Sequence, residues 1–246
     1  NYFYFEKKVN LDKLSESKMF LFDKDLNYLF EYFNSDKGEK FTDQYMQPSK
    51  KNSNIIKAHG YSKFYHEIFY NIKNEKINIM EIGSFYGNAS AALFFYFKNA
   101  NIFGADINPD MFKYKSKRIK SFQVDSSSPK SIKSKIINLN ILFKIIIEDA
   151  SHMLKDQIVS LFQLFPMVQP GGYFIVEELD FPETREDMRL NQEFPDLKTI
   201  LNSIVNDKDF NSPYIDDVSK NYFLNNFEYI KTYRGNMNEI AIIKKK

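Results

Sequence analysis

Two short acidic runs hold most of the chemistry open to this chain. The first is Glu148-Asp149-Ala150-Ser151-His152, and the second is Glu177-Glu178-Leu179-Asp180. Carboxylates brought together are costly unless a proton or a cation neutralises them. Oxygen ligands of this kind suit a hard divalent ion such as Mg²⁺. Asp149, Glu177 and Glu178 are the candidate ligands, and solvated strand ends that repel mildly are the plainer alternative. Of the three histidines, His59, His66 and His152, only His152 lies inside such a run. An imidazole titrates near neutral pH, so His152 is the candidate general base, with Asp149 beside it as a second catalytic group. The plainer reading is that His152 caps the helix that follows.

A third stretch, residues 77–89, reads Ile-Asn-Ile-Met-Glu-Ile-Gly-Ser-Phe-Tyr-Gly-Asn-Ala. An apolar strand runs into Glu81, then into a turn holding Gly83, Ser84 and Gly87, then into an apolar helix. Glycine lets the backbone pass close under a ligand, and a helix start offers unpaired N–H groups. A bulky adenosyl cofactor fits across such a bend. A dinucleotide fingerprint would need glycine at 83, 85 and 88. Those positions are Gly83, Phe85 and Asn88. About twenty residues on, Asp106 ends the next apolar run, where a carboxylate accepts the ribose hydroxyls of a nucleoside or forms an Asx turn. Asp125 and Ser126 follow a third strand, to meet an adenine amino group or to cap a helix.

The elements that must carry these groups alternate strand and helix. Strands are expected at 77–82, 101–105, 119–124, 141–147 and 173–176, with a turn at 169–172. Helices are expected at 63–72, 89–97, 129–137, 155–165 and 197–206, and an antiparallel pair at 227–233 and 239–243. The fold class is α/β: a Rossmann-like doubly wound seven-stranded sheet, mostly parallel with an antiparallel last strand, under an N-terminal helical cap. Residues 1–34 read as helices, and 35–60 as a long loop that is either a linker or a flap over the cofactor. That loop carries Asp36, Lys37, His59 and Tyr61, which are expected to reach the cofactor, as is Glu148. Two units are expected, a helical cap with a covering loop over 1–60 and a cofactor-binding domain over 61–246. The polar stretch 180–195 is expected to form a lid or substrate wall.

Composition narrows the classes. The chain has 246 residues and a formal net charge of +2, which gives no reason to invoke nucleic acid. It has no cysteine, so disulfides and thiolate metal sites are excluded. No apolar run approaches the ~18 residues a membrane helix needs. No signal peptide is visible, so the cytoplasm is the default expectation. The aromatic-rich helices at the start offer a face for a homo-oligomer.

The order Glu81-x-Gly83-x-x-x-Gly87, Asp106, Asp125, Glu148-Asp149 and Pro170-Gly171-Gly172 resembles the class I S-adenosylmethionine (SAM)-dependent methyltransferases. Ser-Asp-Lys-Gly, His-Gly-Tyr, Glu-Asp-Ala-Ser-His and Val-Glu-Glu-Leu are similar to metal-dependent sugar O-methyltransferases of the mycinamicin and macrocin type. That resemblance implies SAM and Mg²⁺ as cofactors, Asp149 and Glu178 as metal ligands with Glu177 as a further one, and His152 as base. It implies a sugar hydroxyl, in a glycan or secondary-metabolite precursor, as acceptor. A metal-independent methyltransferase acting on a small phosphorylated or nucleotide-linked acceptor, such as a capsule phosphoramidate precursor, is the alternative. A nucleotide-sugar or nicotinamide enzyme and a silent SAM-binding scaffold are the more distant ones. The chain departs from the subgroup at Glu148, Ala150 and Glu178, where Asp, Gly and Asp are usual.

Overall fold

A computed structural model describes residues 8–42 and 55–246. Its centre is a seven-stranded sheet whose strands we number in chain order: β1 (Asn78–Ile82), β2 (Asn101–Asp106), β3 (Ile119–Gln123), β4 (Phe143–Glu148), β5 (Val168–Val176), β6 (Phe227–Arg234) and β7 (Glu239–Lys245). They lie in the order β6-β7-β5-β4-β1-β2-β3, and all pairings are parallel except β6 with β7 and β7 with β5. The chain reverses its direction of travel across the sheet between β1 and β4, the place where open α/β sheets leave a crevice at their carboxyl edge. In that crevice Ile82, Asp106, Glu148 and Val176 end four adjacent strands.

Side-chain alternation divides the core in two. Ile79, Ile102, Ile145, Ile147, Ile175 and Ile242 face one layer. Met80, Phe103, Ile146, Phe174, Val176 and Ile243 face the other. The helices are α1 (Leu11–Ser17), α2 (Leu26–Tyr32), α3 (Ser62–Phe69), α4 (Asn88–Tyr96), α5 (Pro129–Lys135), α6 (Leu154–Leu164), α7 (Phe181–Thr184), α8 (Leu197–Asp207) and α9 (Asp217–Asn226). The first four pack on the first layer, and α5, α6, α8 and α9 on the second. α4 is buried from Ala89 to Tyr96 because it is sandwiched between the sheet and the N-terminal helices, so it has no polar face to present.

Four expectations are corrected. Residues 169–172 do not form a turn ahead of β5 but lie inside it. The register with β4 jumps from Phe143–Val168 to Ile145–Tyr173, so the extra residues bulge. Gly172 sits there because a Cβ would lie 2.7 Å from the Lys144 carbonyl. Residues 35–60 are not all loop, since Lys40–Thr42 pairs antiparallel with Ile55–Lys57; the stretch 43–54 lies outside the described residues. Val9–Asn10 is not helical but pairs parallel with Tyr114–Lys115. α9 has no counterpart among the expected elements.

Candidate active site

The site is built on the carboxyl ends of β1, β2, β4 and β5. After β1 the backbone turns at Gly83, φ +84°, where a Cβ would fall 1.8 Å from the Asp149 carbonyl oxygen. Only glycine lets the β1 and β4 ends approach this closely. Phe85, His152 and Glu178 hold positive φ without being glycine, at 44°, 57° and 48°. Such strain persists where the surroundings over-determine it, often at functional sites.

Around the bend lies a cavity of about 320 Å³ lined by Asp36, Lys37, Glu81, Gly83, Ser84, Asp106, Asp149, His152 and Glu178, together with Phe85, Tyr86, Asn88 and Ile107. A second cavity of about 240 Å³, holding Val124, Asp125, Ser126 and Ser127, shares Gly83, Asp106, Ile107 and Ala150 with it. Asp106 Oδ2 accepts the Phe85 N–H at 2.8 Å and Oδ1 the Asn108 N–H at 2.8 Å, so it makes an Asx turn and faces the cavity as well. Asp125 accepts the Ser127 N–H at 3.0 Å, whereas Ser128 caps α5.

The acidic groups form two sets. In the first, Glu178 Oε1 lies 2.9 Å from His59 Nε2, and Glu178 Oε2 lies 3.0 Å from His152 Nε2. Asp149 Oδ1 is 3.8 Å from the same His152 nitrogen. Asp149, His152 and Glu178 each offer a ligand atom within 4.8 Å of the others. In the second, the Lys37 ammonium contacts Asp149 Oδ2 and lies 2.8 Å from Glu177 Oε2 and 3.8 Å from Glu81 Oε1. The Tyr65 hydroxyl donates to Glu177 Oε1.

Charge follows this pairing. Burial works against the imidazolium of His152, yet the charge and hydrogen bond of Glu178 outweigh it and raise its pKa; His59 is raised in the same way. Glu178 stays well below the usual carboxylate range, because the two imidazoles overcome the cost of its burial. Burial pushes Glu81 up to about 7 against the opposing charge of Lys37, and Glu148 up to about 7. For Lys37 burial favours the neutral amine, but Asp149 and Glu177 hold it charged.

Several expected site residues stand elsewhere. Glu177 is 1% exposed, lines neither cavity and belongs with Lys37 and Tyr65 rather than with the three-ligand group. His59 and Tyr61 line neither cavity. His59 meets the site through Glu178, and Tyr61 stacks beneath it with ring centroids 5.2 Å apart. Glu148 is fully buried and lines neither cavity, and Gly87 starts α4 against the Phe112 ring. Sequence reading missed Phe85, Tyr86 and Asn88 as cavity wall. The position of Phe85 and Tyr86 inside the glycine bend, with Asn88 directly after it, is the signal that would have found them. It also missed Tyr65, which sits mid-helix among core aromatics and carries no signal.

This strand order, with a glycine bend after the first strand and an acid after the second, is the fold of the SAM-dependent methyltransferases. Within that class the fold matches MycE methyltransferase from the mycinamycin biosynthetic pathway in complex with Mg and SAH, with a TM-score of 0.67 and 19% identity over 90% of this chain and 53% of that one. It also matches MycE in complex with Mg, SAH and mycinamycin VI, with a TM-score of 0.64 and 19% identity over 90% of this chain and 54% of that one. In sequence, 128 residues (49% of this chain) are 27% identical to the 8-demethyl-8-alpha-L-rhamnosyl tetracenomycin-C 2'-O-methyltransferase of Streptomyces olivaceus. The same length is 28% identical to the demethylmacrocin O-methyltransferase of Streptomyces fradiae. These matches span 33% and 32% of the two relatives, and the chain about half of MycE. No protein-family model matches. Among the described residues no helix is long and apolar enough to cross a membrane.

Proposed function

We propose that the chain is a SAM-dependent O-methyltransferase acting on a sugar hydroxyl of a glycan or secondary-metabolite precursor, assisted by a divalent cation. One observation carries the reading: the glycine bend with Asp106, and the group Asp149–His152–Glu178, line one cavity. The donor set suits a cation, since Asp149, His152 and Glu178 each offer a ligand atom within 4.8 Å of the others. With an imidazole beside two carboxylates, Mn²⁺ and similar ions fit as well as Mg²⁺. Similarity to sugar O-methyltransferases, one of them solved with Mg and SAH, supports it.

The residues divide the work. Asp106 accepts the ribose hydroxyls, Asp125 and Ser126 flank the base in the second cavity, and Gly83 keeps the bend clear of side chains. SAM, once bound, would supply the methyl group, and a cation held by Asp149 and Glu178 would lower the pKa of the acceptor hydroxyl. His152 takes the hydroxyl proton in its neutral form, with Nε2 turned from Glu178 to the acceptor, and Glu178, 3.0 Å from Nε2 in the resting site, stabilises the imidazolium that forms. Holding the acceptor in line with the donor contributes much of the remaining acceleration.

His152→Ala should lower kcat by about 10²–10⁴ while SAM binding by calorimetry stays near normal. Turnover that survives places the base elsewhere. The closeness of His152 Nε2 to Asp149 and Glu178 favours one second reading, in which His152 is the third metal ligand. In that case the same variant loses Mn²⁺ binding along with rate. Full activity after exhaustive chelation would remove the metal and favour the metal-independent alternative.

A further inference from the structure

Lys37 is 1% exposed, on a loop fastened at both sides. Its carbonyl accepts the N–H groups of Tyr61 at 2.9 Å and Ser62 at 3.1 Å, and the His59 N–H donates to Asp36 at 2.8 Å. The side chain ends among Asp149, Glu177 and Glu81. An ammonium is a compact point charge with three donors, suited to oxygens converging from several directions, which the planar fork of arginine is not. Both oxygens of Glu177 are already engaged, one by Lys37 and one by the Tyr65 hydroxyl.

We propose that Lys37 is a tethered cation, standing where a divalent ion would otherwise bind between Asp149 and Glu177, and so confining the metal to Asp149 Oδ1 and Glu178. Lys37 is thus a positioning residue that sets how strongly, and through which acids, the site holds its ion. The inference rests on the metal reading for its second half. The pairing of Lys37 with Glu177 stands without it. Two like charges a few ångströms apart repel, so the ammonium weakens the neighbouring metal site while it neutralises the acids.

Metal-free protein is titrated with Mn²⁺, followed by electron paramagnetic resonance of the free ion. Lys37→Met should bind Mn²⁺ about tenfold or more tightly than the native chain, and adding Glu177→Gln should remove that gain. In the native background, Glu178→Gln should weaken binding at least about tenfold more than Glu177→Gln does. This pair keeps the test open should Lys37→Met fold poorly. Equal losses at 177 and 178, or unchanged or weaker binding in folded Lys37→Met, overturn the proposal. If native protein takes up no Mn²⁺, the metal reading has failed, and melting in chelator decides the pairing. Lys37→Met should then melt lower, and Lys37→Met/Glu177→Gln should recover part of the loss. Additive effects of the two changes would overturn it.

Discussion

At the scale of single residues, Glu148 shows how the site burdens the fold. It is fully buried, and no side chain hydrogen-bonds to its carboxylate among the described residues. Burial moves its pKa from 4.5 to about 7. A carboxyl raised in the folded state contributes stability that is complete below its unfolded pKa and lost as pH climbs to the folded one. The raised imidazoles of His59 and His152 act with the same sign over a window starting at 6.5. Glu148→Gln has no carboxyl to ionise. In chelator it should match the native protein near pH 4, gain on it between pH 4.5 and about 7, and hold a plateau of about 3 kcal/mol above that. Thermal melts across pH measure this. A constant offset at every pH would mean that Glu148 does not titrate in this range.

At the scale of elements, the bend after β1 is the least replaceable piece. A methyl at Gly83 meets the Asp149 backbone at 1.8 Å and demands a left-handed φ. Backbone cannot swing aside as a side chain can, so β1 and β4 would have to part. Gly83→Ala should cost about 2–4 kcal/mol of stability and abolish SAM binding by calorimetry. Normal binding would mean that the donor does not lie over this bend. This element was legible in the sequence, because apolar run, acid, spaced glycines and apolar run is a local pattern. The strands were legible for the same reason, as was the antiparallel pair β6–β7 through its alternation and its Arg-Gly-Asn turn. α9 was not, since Asp-Val-Ser-Lys-Asn-Tyr-Phe-Leu-Asn-Asn buries only Phe223 and has little amphipathic signal. The bulge within β5 was read as a turn because Pro-Gly-Gly has the same composition in either role. The fate of Glu177 was not legible at all. Its partner Lys37 lies 140 positions away in sequence, and adjacent acids at a strand end carry no mark of which one meets an ammonium.

At the scale of the whole molecule, the site is closed by segments from both ends of the chain. The turn between β6 and β7 reaches back to the loop before α3. The Asn236 N–H donates to the His59 carbonyl at 2.6 Å, and its side chain donates to Glu39 at 2.8 Å. On the other side, the Leu179 N–H donates to the Glu239 carbonyl at 2.9 Å, and Asp180 holds both Arg234 and the Glu239 N–H. The hairpin therefore grips the loop bearing His59 and the strand end bearing Glu178, which meet each other at 2.9 Å. Gly235 sits in that grip: a Cβ there would lie 2.4 Å from the His59 carbonyl and 2.7 Å from the Tyr61 ring. No unusual φ is required at this position, so the strain of an added methyl is relieved only by moving one segment off the other. Gly235→Ala should push His59 away from Glu178 while the sheet stays intact. Far-UV circular dichroism should be unchanged, and Mn²⁺ binding should weaken by about 10–100-fold, the usual effect of disturbing a residue that orients a metal ligand. His59→Ala should reproduce the loss, and the two changes together should cost no more than one, since both act through the same contact. Full additivity would mean that the hairpin reaches the site by some route other than His59.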